Sequence, residues 1–368
     1  METYDNANVV PSLASAVSFP RRWANARLLA AAESGRLPDR VIRAGIDLRL
    51  RAKLANEGRG GPAAVNARKR ELLAARAAGP ITIHVEDANQ QHYEVSSAFF
   101  EIILGPRLRY SSCYWPPPVH SLAQAELAAL EQTVGRAGLA DGDRILELGA
   151  GWGSLSLFMA ERFPASQIVT VSNSRTQKLF IDRRAEQRGL TNLTVHTADV
   201  ADFDPGRTFD RVVSIEMFEH VRNHRELLRR VARWLEPDGT CFIHVFSHKS
   251  LAWHFEAAAE NDWMARSFFA GGTMPSDDLL LHEQRDLAVI EHWWLDGTHY
   301  ARTLQAWLER LDANREACLE ALTGGDDPVP AELQLSRWRL FLLASIGTWA
   351  LADGTEFGVS HYLFRNRR

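Results

Sequence analysis

Cysteine is scarce in this 368-residue chain: Cys113, Cys241 and Cys318 are the only three, odd in number and far apart. That spacing excludes a disulfide framework and a paired-cysteine metal site, and it points to a reducing, cytoplasmic setting. No metal-ligand spacing occurs elsewhere, so no metal is expected. Apolar runs fall short of the roughly 20 residues that a membrane-spanning helix needs. The opening stretch METYDNANVVPSLASAV has neither the basic start nor the long apolar core of a signal peptide. Positive charge is not in excess: the formal net charge of −4 argues against nucleic acid as a main partner, since phosphate binding needs a basic surface. What remains is 46% hydrophobic and 24% charged, the balance of an ordinary globular protein with a sizeable core in one large domain or two modest ones.

One region departs from that balance. Residues 21–80 hold fourteen Lys/Arg against five Asp/Glu, a local excess of +9. They read as a helical cover whose arginines form its solvated face, or as a surface drawn to anionic lipid. Leu37-Pro38-Asp39 is a helix start followed by apolar Val41, Ile42, Ala44, Ile46 and Leu48; Gly58, Gly60, Gly61 and Pro62 break that helix, and a second is predicted from about 64 to 78. A short strand-like run follows at Ile81–Val85.

From about residue 120 helices and short apolar strands alternate. Strands are predicted at 144–148, 167–171, 193–196, 209–215 and 240–246, and helices at 123–137, 154–162, 176–188 and 225–235. That alternation implies a parallel sheet covered on both faces. Pro237-Asp238-Gly239 reads as the turn from the last of these helices into the last of these strands. Beyond 246 the pattern becomes aromatic, with seven of the eleven tryptophans, two long helices (about 300–322 and 331–352) and a closing strand at 358–364.

The strongest local signal is ILELGAGWGSLSLFMA, residues 145–160: an apolar strand ending at Glu147, glycines at 149, 151 and 153, and a helix at once. Glycines let backbone approach a ligand, and the helix start offers free amides. A dinucleotide loop would prefer GxGxxG. Here an acid precedes the first glycine, which would repel a pyrophosphate and suits a ligand with an ammonium group and no phosphates. S-adenosylmethionine is such a ligand. About 20 residues past the loop, where a ribose-binding side chain is expected, stands Asn173; Asp199, after the third strand, can accept from an adenine amino group. Glu216, Glu219 and His220 follow the fourth strand, at the sheet edge where open α/β sheets bind ligands, and can bind a cationic amine and take its proton.

The segments HYEVSSAFF (92–100), RYSSCYW (109–115), ELGAGWG (147–153), VSNSRTQ (171–177), EMFEHV (216–221) and RTLQAWLERLDAN (302–314) resemble the superfamily of cyclopropane-fatty-acid synthases and coclaurine N-methyltransferases. The resemblance runs from about residue 35 to the C-terminus. It implies an α/β fold, a class I Rossmann-like methyltransferase with a helical N-terminal cover over 1–90, an S-adenosylmethionine-binding core over 91–246, and an aromatic-rich lid with closing helices and strands over 247–368. It implies Glu216 and His220 as a catalytic pair with Glu219 in support, and adds Tyr110, Ser111, Gln177, Val200 and Ile215 to the cofactor residues. Tyr300, Trp338 and Phe341 are its acceptor-site residues. The lipid branch has YSCAYW, whose cysteine helps hold a bicarbonate base, and GMFEH; this chain has Ser112 at that cysteine position and Glu216 in place of that glycine. EMFEH is close to the ELFEH of the amine branch, as are HKSLAWHFE, AGGTMPS and SHYLF. Tyr300 and His244 match the lipid branch instead. The resemblance therefore implies methyl transfer to a small amine, with a lipid-modifying enzyme as the alternative. A fold retained for cofactor-dependent regulation is a third reading, against which the glycine loop and EMFEH both speak. His248 and His254 read as packing or hydrogen-bonding residues of the lid.

Overall fold

A computed structural model describes residues 27–83, 96–255, 263, 271–323 and 329–367. Most strands fall where the apolar runs place them: β1 (Arg144–Leu148), β2 (Gln167–Ser172), β3 (Leu193–Thr197), β4 (Phe209–Ile215) and β5 (Leu235–His248). The five run parallel, and two antiparallel pairings then add β9 (Phe357–Asn366) and β8 (Leu287–Asp296), for a seven-stranded order β3-β2-β1-β4-β5-β9-β8. Strands β6 (Trp253–His254) and β7 (Thr273–Met274) form a separate short ribbon.

Helices cover both faces of the sheet, and their sequences explain where they start. In α4 (Leu122–Ala137) Ser121 accepts from Gln124 N, and Gln124 returns a bond to the Ser121 amide, a capping box that satisfies two free donors. Gly138, in the left-handed region at φ 63°, ends it. Ser174 caps α6 (Arg175–Gln187) and Asn223 caps α7 (His224–Trp234) through their side chains. In α7 Leu227, Leu228, Val231 and Ala232 form the buried stripe that holds it on the sheet. Between β1 and α6 lies α5 (Ser154–Arg162).

A second apolar body sits beside the sheet. It combines α1 (Asp39–Glu57), α3 (Ser97–Ile103), α8 (Thr298–Ala313), α9 (Arg315–Thr323) and α10 (Ala331–Trp349), with Phe99, Phe100, Trp307, Trp338, Phe341 and Trp349 in one cluster. α2 (Gly61–Ala77) lies against α7, where buried Arg76 donates to the carbonyls of Val221 and Arg222. The arginines at 40, 43, 49, 51, 59, 68 and 70 are all exposed, as a solvated face requires.

Three expectations need correction. Pro237-Asp238-Gly239 does not separate helix from strand: α7 passes directly into β5, and residues 236–239 bulge out between the pairs Phe209–Leu235 and Arg211–Thr240. The long helix predicted over 300–322 is broken at Asn314, whose side chain turns back onto the Arg310 carbonyl. The strand-like run at 81–85 is, over its described residues, a single bridge from Thr82 to Val221; positions 84 and 85 lie outside them. The predicted pattern also missed β8, whose exposed and half-buried residues carry no clean alternation.

Candidate active site

A cavity opens at the carboxyl edge of β1, β2 and β4. It is lined by Leu108–Ser111, Glu147, Gly149–Trp152, Ser154, Val171–Asn173, Gln177, Ala198–Val200, Ile215–Met217 and His220, with Thr82 and Ile83 from the cover. Of the cofactor residues expected from sequence, Tyr110, Ser111, Glu147, Gly149, Gly151, Asn173, Gln177, Asp199, Val200 and Ile215 all reach it. Gly153 does not. It caps α5 at φ 81°, and a Cβ there would fall 2.8 Å from Ile181 Cγ1, so its role is close packing of α5 on α6. At Gly149 the φ of 93° and Met217 Cβ at 3.0 Å from a built Cβ hold the loop open to the cavity.

The lining fits a polar ligand. Trp152 Nε1, Ser154 Oγ, Gln177 Nε2 and one Arg109 guanidinium nitrogen are buried and lack a hydrogen-bond partner among the described residues, and all four residues face the cavity. Glu147 receives a hydrogen bond from Ser156 and is raised by burial to about 7, a carboxyl that a ligand ammonium would ionise. Asp199 accepts from Thr82 Oγ1 at 2.9 Å and from the Ala201 amide at 2.8 Å, which ties the cover to the adenine end of the expected site. Thr82, Trp152, Ser154 and Arg109 were not singled out in the sequence. Arg109 adjoins Tyr110 in RYSSCYW, Trp152 and Ser154 lie in the glycine-loop run 145–160, and Thr82 carries no pattern of its own. Glu126, buried, accepts the amides of Arg107 and Arg109 and so shapes the segment that delivers Tyr110 and Ser111.

Glu216 is the centre of the site. Its backbone sits at φ 46°, where a non-glycine residue is strained by about 1–3 kcal/mol. Its carboxylate is held by three donors from three segments: Ser112 N at 2.9 Å and His244 Nε2 at 3.1 Å on Oε1, and Tyr300 Oη at 2.7 Å on Oε2. Burial raises its pKa, and the Tyr300 and Ser112 bonds oppose that rise. His220 lines the cavity beside it, and burial lowers the imidazole to about 4, so it is neutral at physiological pH.

Glu219 points elsewhere. It is 1% exposed, does not line the cavity and accepts the Phe246 amide at 2.9 Å, while its other oxygen has no partner among the described residues. Burial and the nearby Glu216 charge push its pKa well up, which favours its neutral form. Trp338 and Phe341 also stand back from the cavity: Trp338 packs on Phe99 and Phe100, and Phe100 in turn on Tyr110. Tyr300 stacks on Trp349 with centroids 4.7 Å apart. Cys113 is buried with a thiol raised to about 12, its amide donating to Thr303 Oγ1. His248 accepts the amides of Ser250 and Leu251, and His254 bonds Thr273 Oγ1, both structural as expected. No group of three or more His, Cys, Asp or Glu suited to a metal occurs among the described residues.

Comparison with known proteins decides the family. The mycolic acid cyclopropane synthetase family matches residues 82–345. (S)-Coclaurine N-methyltransferase of Thalictrum flavum subsp. glaucum is 37% identical over 292 residues, 78% of this chain and 81% of that protein. The chain belongs to this family, in its coclaurine N-methyltransferase-like branch. (S)-Tetrahydroprotoberberine N-methyltransferase of Eschscholzia californica is 32% identical over 77% of this chain and 82% of its own length. The crystal structure of a coclaurine N-methyltransferase bound to N-methylheliamine and SAH is 32% identical and superposes with a TM-score of 0.88, covering 93% of this chain and all of that one. A cyclopropane synthase of Mycobacterium tuberculosis, 23% identical with a TM-score of 0.67 over 78% of this chain, shares the fold. The chain is an S-adenosylmethionine-dependent N-methyltransferase with the class I α/β fold.

Proposed function

We propose that this enzyme methylates the nitrogen of a small cyclic amine carrying aromatic rings, with Glu216 and His220 as the groups that receive the amine and its proton. The observation that carries this reading is the Glu216 carboxylate, fixed by three donors at a strained backbone position beside a neutral imidazole in one cavity. The relatives named for coclaurine and tetrahydroprotoberberine support the acceptor class.

S-adenosylmethionine supplies an electrophilic methyl group when bound. The protein's share is to present an amine with a free lone pair in line with it. Glu216, whose carboxylate gathers three donors, attracts the ammonium form of the acceptor. Neutral His220 accepts the proton as the nitrogen forms its new bond to carbon, so the lone pair is free when it is needed. Tyr110 brings an aromatic face to the cavity wall, which suits a cationic product by about 0.5–2 kcal/mol. Trp338 and Phe341 back that wall rather than forming it. Its three cysteines are all free and buried, which suits a reducing compartment such as the cytoplasm. No helix among the described residues is long and apolar enough to cross a membrane.

The test is turnover of purified enzyme on a panel of cyclic amines, phenols and phospholipids, repeated with Glu216→Gln and His220→Ala. Amines alone should be methylated, and each variant should lose about 10²–10⁴-fold in turnover with S-adenosylhomocysteine affinity unchanged. Acceptance of phospholipid acyl chains, or near-normal rates in both folded variants, would overturn the proposal.

A further inference from the structure

Behind Glu216, away from the cavity, two buried histidines face one another across the sheet. His244 on β5 and His361 on β9 are cross-strand partners, 3% and 1% exposed, with ring centroids 4.5 Å apart. Arg136, in the last turn of α4, lies with a guanidinium nitrogen 2.7 Å from His361 Nδ1. An arginine can only donate, so His361 Nδ1 accepts and its proton is on Nε2. At the other end His244 Nε2 meets the Glu216 carboxylate, which accepts, so His244 carries its proton on Nε2 and leaves Nδ1 bare. The two ring atoms left over, His361 Nε2 and His244 Nδ1, are buried and have no hydrogen-bond partner among the described residues, so the two rings meet by packing, 33° from parallel.

We infer that Arg136 and His361 are positioning residues for methyl transfer: the arginine, seated on the ring that packs against His244, keeps His244 the neutral donor to Glu216. The inference rests on the role proposed above for Glu216. Burial, Arg109 and Arg136 disfavour a second proton on either ring, and His244 and His292 add to that at His361; Glu216, the one acid in contact, acts the other way at His244. His292 is itself held by Asp277. Without Arg136, His361 is free to move its proton to Nδ1, and either ring can take up an extra one. An imidazolium there would offset the Glu216 charge that draws in the ammonium form of the acceptor. The loss should therefore deepen as the pH falls, which a packing defect would not do.

The experiment compares wild type, Arg136→Leu, Arg136→Lys and His361→Gln as full-length enzymes on one accepted amine at pH 6.0 and 8.5. In parallel, ¹⁵N spectra of histidine-labelled protein read the tautomers directly. Arg136→Leu should turn over within about threefold of wild type at pH 8.5 and about tenfold slower at pH 6.0, with S-adenosylhomocysteine affinity unchanged. Arg136→Lys, which keeps a cationic donor, should restore most of the low-pH rate. Wild-type spectra should show both rings with Nε2 protonated, and Arg136→Leu should lose that pattern. An equal rate loss at both pH values, or Nδ1-protonated rings in wild type, overturns the inference. If Glu216 has no catalytic role, the spectra still report the tautomers while the pH-dependent rate loss is absent, so the two failures are distinct.

Discussion

Replacing Glu219 by glutamine isolates the cost of burying an acid beside another acid. The amide has the shape of the carboxyl, keeps an oxygen for the Phe246 amide 2.9 Å away and cannot ionise. In the unfolded chain Glu219 titrates near the ordinary 4.5, whereas burial and Glu216 raise it well above that in the fold. A group raised on folding contributes stability that is complete below its unfolded pKa and is lost as pH climbs toward the folded pKa. Each pH unit in that window removes about 1.4 kcal/mol from the wild type and nothing from the variant. Denaturant unfolding of both proteins at pH 5, 6, 7 and 8 measures it. The two midpoints should nearly coincide at pH 5 and separate steadily, with Glu219→Gln the more stable. Because burial favours the neutral carboxyl, the variant should also keep turnover within about tenfold of wild type, unlike Glu216→Gln. A gap independent of pH, or a less stable variant at pH 8, would refute the assignment of Glu219 as a buried neutral acid.

The two neighbouring glycines should separate binding from folding. Gly151→Ala has open space for its Cβ and bears only the strain of φ 51°, so it should fold with a loss of about 1–2 kcal/mol but bind S-adenosylhomocysteine at least tenfold more weakly by calorimetry. Gly153→Ala, with its Cβ driven onto Ile181 at φ 81°, should lose about 2–3 kcal/mol of stability by denaturant unfolding. Wild-type activity should be indifferent to bicarbonate in degassed buffer, whereas Glu216→Gly, freed of its backbone strain and retaining the three donors of Ser112, His244 and Tyr300, should be partly rescued by millimolar formate or bicarbonate. Glu147, at about 7, should make S-adenosylhomocysteine binding weaken by about tenfold from pH 7.5 to 6.0, a dependence that Glu147→Gln should abolish.

The sheet was legible because buried parallel strands are short apolar runs punctuated by helices, and β1 and β4 begin and end where those runs do. The glycine loop was legible for the same reason, since strand, loop and helix are adjacent in the chain. What escaped was whatever depends on distance. β8 carries an irregular pattern and is a strand only because β9 pairs with it. Glu216 and Glu219 are three residues apart and look alike in EMFEH, yet a positive φ turns the first into the cavity and a short 3₁₀ turn over Phe218–His220 sends the second toward β5. Trp338 packs on Phe99 and Phe100 of α3, contacts between helices far apart in the chain that no local pattern announces.

The same geometry explains why a fold shared with lipid-modifying enzymes serves an amine. Ser112, His244 and Tyr300 place three hydrogen-bond donors around one point at the sheet edge, and three donors there call for an anion. In this chain the anion is covalently part of the protein. Its attachment costs the strain of a left-handed glutamate, and that strain persists because the donors and the Glu216 N–His244 O bond at 2.8 Å over-determine the turn. A tethered carboxylate cannot diffuse away, does not vary in concentration and sits at a fixed distance from His220. With the roles proposed for Glu216 and His220, those properties favour an acceptor that arrives charged, because the group that draws it in and the base that deprotonates it are both present before it binds. An uncharged acyl chain would gain nothing from the first of these and would leave a buried carboxylate facing apolar surface. The roles proposed for Glu216 and His220 thus put the discrimination between acceptor classes at position 216.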